Sequence, residues 1–132
     1  LSEFQADTVP LLAEGHWRGL VIEPEREALY ARIDRRFDQM LDQGALEEVR
    51  AFGERGLDPD LPAMKALGVP PLLAYLRGET GFDAAVELAK RDSRRYAKRQ
   101  LTWFRNQTAS WPRIGSLEPG TAQAALETLL SD

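Results

Sequence analysis

Apolar residues along the chain recur mostly at steps of three and four, and only a few short stretches carry them consecutively. From Pro24, a residue suited to the first turn of a helix, "EREALYARIDRRFDQML" sets Leu29, Ile33, Phe37, Met40 and Leu41 on one face. That spacing predicts an amphipathic helix stopped at Gly44. "ALEEVRAFGERG" predicts a second helix with Leu46, Val49 and Phe52 inward and Gly56 as terminator. Pro59, Pro62, Gly68, Pro70 and Pro71 break the next segment into loop, one or two helical turns, loop, and a short helix ending at Gly78. Thr80 with Asp83 has the form of a capping box and opens a long helix reaching about Gln107. Projected at about 3.6 residues per turn, that helix carries Val86, Ala89, Tyr96, Ala97, Leu101 and Phe104 on one side. Arg91, Arg94, Arg95, Lys98, Arg99 and Arg105 take the other side, with Trp103 on the boundary. "GLVIEP" (19–24) and "WPRI" (111–114) read as short strands, and "EPGTAQAALETLL" as a last helix capped by Thr121. Residues 1–16 read as a loop or short helix. The expected fold is therefore mainly α, with one or two short strands. Strands cannot satisfy their own backbone, so these two must pair with each other, with a sheet elsewhere or with a second copy, and self-association of the isolated chain is expected.

Composition narrows the chemistry. With 132 residues and 43% hydrophobic content, the chain can bury one core but is short for two independent domains. It has no cysteine and a single histidine, His16, which excludes disulfides, thiolate metal sites, cysteine nucleophiles and a histidine-based zinc site. The longest nearly apolar run, residues 66–76, contains two prolines and is too short to span a bilayer, so a soluble protein is expected. No G-x-x-x-x-G-K-[ST] or G-x-G-x-x-G loop occurs, and His16 has no serine and aspartate set to serve. No catalytic residue and no metal ligand is expected in this chain. The opening "LSEFQ" carries neither an initiator methionine nor a cap or strand signal, and is expected to be a cut end.

Charge adds the one distinctive feature. Net charge is −4, yet seven of the 17 basic residues fall between Lys90 and Arg105, against Asp92 alone of the 21 acidic ones. Such a stripe is either a solvated helix face paired to acidic neighbours or a surface for an acidic partner. Trp103 beside the arginines adds a stacking platform of the kind nucleic-acid surfaces use. A second candidate is "PAMKALGVPP" (62–71), which reads either as a rigid connector or as a loop where Gly68 admits a close approach and Lys65 meets a phosphate. From the residues alone, three classes stand open: part of an enzyme, a non-catalytic helical RNA-binding module, and a domain docking an acidic protein.

"RRYAKRQLTWFRNQ" (94–107) resembles the C-terminal signature of the tRNA dimethylallyltransferases, also called tRNA isopentenyl-pyrophosphate transferases. "LSEFQ" and the stretch from "LVIEPEREALYARIDRRFDQML" to "PAMKALGV" match in the same order, so the resemblance covers residues 1–114. It implies a single C-terminal fragment of a P-loop-type α/β transferase, with residues 1–18 leading in, 19–114 matching the family and 115–132 forming a tail helix. It further implies a cytoplasmic enzyme that moves a dimethylallyl group from dimethylallyl diphosphate to N6 of the adenosine 3′ to the tRNA anticodon. Magnesium, the phosphate-cradling loop and the aspartate acting as base would all belong to the N-terminal part. The family's two tRNA-contacting elements fall on Lys65, Ala66, Leu67, Gly68, Val69 and Pro70, and on Lys98, Arg99, Gln100, Leu101, Thr102, Trp103, Phe104 and Arg105. Val69 stands where the family usually has a tyrosine.

Overall fold

The computed structural model describes residues 11–12, 16–116 and 118–131. Its elements in chain order are β1 (Val21–Ile22), α1 (Arg26–Asp42), α2 (Ala45–Glu54), a 3-10 turn (Pro62–Lys65), α3 (Val69–Leu76), α4 (Phe82–Gln107), β2 (Arg113–Ile114) and α5 (Pro119–Ser131). They divide into two compact units, one of residues 25–107 and one of residues 1–24 with 108–132. The reading of residues 1–16 falls almost wholly outside the described residues.

The 25–107 unit is helical, and glycine punctuates it where the sequence indicated. Gly44 adopts φ 97°, ends α1 and caps α2, while Gly56 and Gly78 take left-handed φ beyond α2 and α3. Pro24 does not begin α1. Glu25 does so as N-cap, its carboxylate accepting the Ala28 N–H at 2.8 Å. Backbone N–H groups, that of Glu27 foremost and then Ala28, hold this carboxyl below its ordinary pKa. A lowered carboxylate stabilises the fold above its unfolded pKa, and the contribution fades as pH falls through the folded value. α4 begins one residue later than the Thr80 box requires: the Gly81 carbonyl accepts the first helical bond, from Ala85 N–H at 3.0 Å. Phe37, Val49, Leu72, Leu73, Val86 and Ala89 form the core, with Leu41, Leu46, Met64, Val69 and Leu76 packed against it. Small residues dominate the buried side of α4, where Ala85 and Ala89 are fully buried, so the neighbouring helices approach closely.

In the other unit the two strands pair with each other, in parallel, with Val21 opposite Arg113 and Ile22 opposite Ile114. Val21 N–H donates to the Pro112 carbonyl at 2.9 Å and Glu23 N–H to that of Ile114 at 2.8 Å. Arg113 braces the pair by donating to Glu23 at 2.8 Å and to the Thr108 carbonyl at 3.1 Å. The Trp111 ring lies over the bare Cα of Gly19 and meets Trp17 edge-on at 5.3 Å. Thr121 lies within the first turn of α5 rather than at its cap, because the helix already begins at Pro119, a residue suited to an N-terminal turn.

Gly68 ties α3 to α1. Its φ is 91°, and an added Cβ would stand 3.0 Å from the Phe37 ring. Gly44 has a similar φ of 97° but open space around it. Replacing Gly44 with alanine is expected to cost about 1–2 kcal/mol of left-handed strain, and Gly68→Ala measurably more, because Phe37 must also move. Urea denaturation midpoints compare the two, and equal losses would show that the Phe37 contact adds nothing.

Candidate nucleic-acid interface

The basic stripe of α4 divides into two halves. In its first half Lys90, Arg94 and Arg95 meet acidic partners within the helical unit, while the exposed Arg91 has none among the described residues. Lys90 Nζ lies 2.6 Å from Asp38 Oδ1, with only 12% of the lysine side chain exposed. One guanidinium nitrogen of Arg94 bridges both Asp34 oxygens, at 2.6 and 2.7 Å. Asp34 and Asp38 stand one turn apart on α1, so they meet Arg94 and Lys90, one turn apart on α4, as two rungs of an antiparallel ladder. Arg95 reaches Asp92 at 3.7 Å along α4 itself. For these residues the paired helix face is the correct reading.

The second half differs. Lys98 and Arg99 are exposed and have no acidic partner among the described residues. The Arg99 guanidinium sits 5.5 Å from the Tyr96 ring centroid, a cation–π arrangement that leaves its charge available. Arg105 is exposed as well. Trp103 is 56% exposed and touches Phe104 edge-on at 5.3 Å, so it is a surface ring rather than a core one. Leu101 and Phe104 are half-buried, and the exposed Thr102 donates its hydroxyl to the Lys98 carbonyl at 3.0 Å. Tyr96, expected on the inward side, is 44% exposed. Ala97, the next residue, is buried as expected.

In the other candidate segment, Lys65 closes the 3-10 turn and pairs with Asp60 at 2.9 Å, both side chains well exposed. Exposed pairs contribute roughly 0.2–1 kcal/mol, so Asp60 holds Lys65 only weakly. Ala66 and Pro70 are exposed, Leu67 is 46% exposed, and Val69 is half-buried against the core. Gly68 is buried, and the close approach it permits is to Phe37 of its own unit.

The two segments meet at one place. Leu67 and Gln100 line the same cleft of about 400 Å³ between α1 and α4, together with Tyr96 and Arg36. The remaining predicted residues of α4 lie outside this lining. Arg36, on α1, is a lining residue that the sequence did not single out. The signal was the "DRRFD" run, in which a base stands directly beside the core residue Phe37. Among the described residues, no three His, Cys, Asp or Glu side chains are grouped so as to hold a metal ion together. No helix of the described residues is long and apolar enough to cross a membrane.

A mainly helical unit with an exposed cationic and aromatic helix end, beside a loop fixed by a left-handed glycine, has the attributes of a surface for a polyanion. The family described as IPP transferase matches residues 1–107. A tRNA dimethylallyltransferase of Maricaulis maris is 68% identical over 98% of this chain, and one of Caulobacter sp. is 56% identical over 90%. The chain spans 42% and 38% of those relatives' lengths. Among solved structures, the tRNA isopentenylpyrophosphate transferase of Bacillus halodurans superposes with a TM-score of 0.76 at 34% identity, over 86% of this chain and 38% of that one. That of Staphylococcus epidermidis gives 0.74 at 36% identity, over 83% and 36%. The chain belongs to the IPP transferase family and corresponds to its C-terminal portion.

The ladder makes a direct forecast. A double-mutant cycle on Asp34→Asn and Arg94→Met is expected to give a coupling of about 1 kcal/mol that shrinks with salt, whereas Asp60→Asn with Lys65→Met should give nearly none. Urea denaturation of the single and double variants measures both.

Proposed function

We propose that this chain is the tRNA-engaging portion of a tRNA dimethylallyltransferase. The intact enzyme transfers the dimethylallyl group of dimethylallyl diphosphate to N6 of the adenosine 3′ to the anticodon. The observation that carries this reading is the C-terminal end of α4, where Lys98 and Arg99 are exposed without an acidic partner among the described residues and stand beside the exposed Trp103, within the element whose family counterpart meets tRNA. Curated relatives named for this activity and the solved isopentenylpyrophosphate transferases support it.

In the reaction, the N6 nitrogen attacks the allylic carbon, the bond from that carbon to the diphosphate oxygen breaks, and a proton leaves N6. An exocyclic adenine amine is a weak nucleophile, so positioning a flipped-out base against the carbon supplies much of the rate. Lys98, Arg99 and Arg105 meet backbone phosphates, Trp103 stacks on a nucleotide, and Lys65 exchanges Asp60 for a phosphate. Leu67 and Gln100 line the cleft beside them. Leu101 and Phe104 seat the helix, the Thr102 hydroxyl is held by the Lys98 carbonyl, and Ala66, Gly68, Val69 and Pro70 shape the loop. Binding energy from this half orients the base, and the chemical groups, with magnesium, belong to the length of the relatives that this chain does not span. The enzyme works in the cytoplasm, where its tRNA is found. Isolated from that remaining length, the chain is expected to associate with itself through the strand edge at the exposed Ile22.

Two measurements test the reading. The chain alone, given tRNA, magnesium and labelled dimethylallyl diphosphate, should leave the tRNA unlabelled, and turnover would refute the assignment of chemistry elsewhere. In the intact enzyme, Lys98→Ala, Arg99→Ala or Arg105→Ala should each weaken tRNA binding and reduce the log–log salt slope by about one, while Arg95→Ala leaves the slope unchanged. Trp103→Ala should cost about 1–3 kcal/mol of binding with little change in slope. Wild-type slopes in all three charge variants would return the stripe to ordinary surface.

A further inference from the structure

We infer that the cleft between α1 and α4 is a pocket for a single unstacked nucleotide of the bound RNA, held by Arg36 on its phosphate and by Gln100 on its base. The inference rests on the tRNA-engaging reading of this helical unit and extends it to α1, which neither the charge pattern nor the family resemblance had marked.

Four observations carry it. The cleft measures about 400 Å³, within the roughly 300–1,000 Å³ typical of small-molecule sites, so a base and its sugar fit it. Arg36 is the one charged side chain among its lining residues. Arg36 has no acidic partner among the described residues, although Asp34 and Asp38 flank it in sequence, because those two are engaged by Arg94 and Lys90 across the helix interface. The ladder thus leaves a cation at the mouth of an apolar cleft with nothing in the unit to neutralise it, which is the charge complement of a phosphate.

The polar and flat groups are also placed for a base. Gln100 is exposed and its amide makes no hydrogen bond within the described residues, leaving a donor and an acceptor side by side. Unstacked RNA bases are read through such pairs on their edges, while their faces rest on aromatic or other flat groups. Tyr96 is 44% exposed and Met40 40%, and both line the cleft. A tyrosine already stacked with Arg99 offers an incoming base a polarised ring. Leu67, 46% exposed at the rim, belongs to the loop that Gly68 fixes on Phe37, so the cleft wall is set before the ligand arrives. A protein acid would satisfy Arg36 equally well. It would leave Gln100 and the Tyr96 ring unused, and the cationic residues Lys98 and Arg99 on the next turn favour a polyanion.

The test uses the intact enzyme and anticodon stem-loop RNA, with Kd read by fluorescence anisotropy. One set of RNAs carries a single abasic nucleotide at each loop position in turn. Arg36→Ala should lower the salt slope by about one, with Arg36→Lys restoring it. Gln100→Ala and Met40→Ala should each weaken the unmodified RNA roughly tenfold, and should have no further effect on the RNA abasic at one particular position. Thermal unfolding of each variant separates lost binding from lost folding. If Gln100→Ala and Met40→Ala act equally on every abasic RNA, no base enters the cleft and the inference fails. Should Arg36→Ala bind normally while Lys98→Ala is weakened, the inference fails and the tRNA surface on α4 stands. Normal binding in Lys98→Ala and Arg99→Ala as well would remove the surface itself. An acidic peptide competing for the wild type but not for Arg36→Ala, without any abasic coupling, would reassign the cleft to a protein partner.

Discussion

Phe37 resting on the bare Cα of Gly68 is the contact through which the helical unit is organised. The ring belongs to the core, yet it also lines the cleft beside α4 and a second cavity of about 340 Å³ facing α2 and α3. It acts as the partition between the two spaces. Gly68 can lie under it because the residue has no side chain and tolerates the left-handed backbone that turns the chain into α3. One aromatic side chain therefore fixes the start of a helix, the path of the 65–70 loop and the wall of the α1–α4 cleft.

Electrostatics then sort the cations that the fold has positioned. Lys90 and Arg94 lie where α4 packs on α1 and are partly withdrawn from water, so Asp34 and Asp38 must accompany them. Farther along, Lys98 and Arg99 are exposed and no acid among the described residues accompanies them. Arg36 is spared by the same logic, since both aspartates near it are already engaged.

Much of this was legible in the sequence wherever a rule is local. The apolar spacing of α1, α2 and α4 located the helices, left-handed glycines ended the first two and α3, and both short strands were found at Val21–Ile22 and Arg113–Ile114. Cap residues were less secure: Glu25 displaced Pro24, and Thr80 and Thr121 lost their capping places to helix starts shifted by one and three residues. The failures that bear on the site involve partners distant in sequence. Nothing near Arg94 foretells that Asp34 will hold it, because the pairing depends on how two helices cross. Periodicity projects Tyr96 inward, but a helical projection does not contain where the neighbouring helix leaves space, and Tyr96 stands 44% exposed at the α1–α4 cleft. Arg36 is not marked in the sequence for the same reason, since whether Asp34 and Asp38 are already engaged depends on how α1 and α4 cross.

The parallel pairing of Val21 with Arg113 has a bearing on how the protein reaches this state. Two strands of two residues each offer few bonds, yet they join chain segments separated by the entire helical unit. Forming that contact from an open chain means closing a long loop for a small return, and contacts of high sequence separation slow folding. Contacts among α1 to α4 are nearer in sequence and can accumulate first. Once that unit has condensed, the segment between the strands is no longer a flexible coil. The strand pair is thus best seen as a late clasp, whose speed of closure is governed by residues with which it shares no bond.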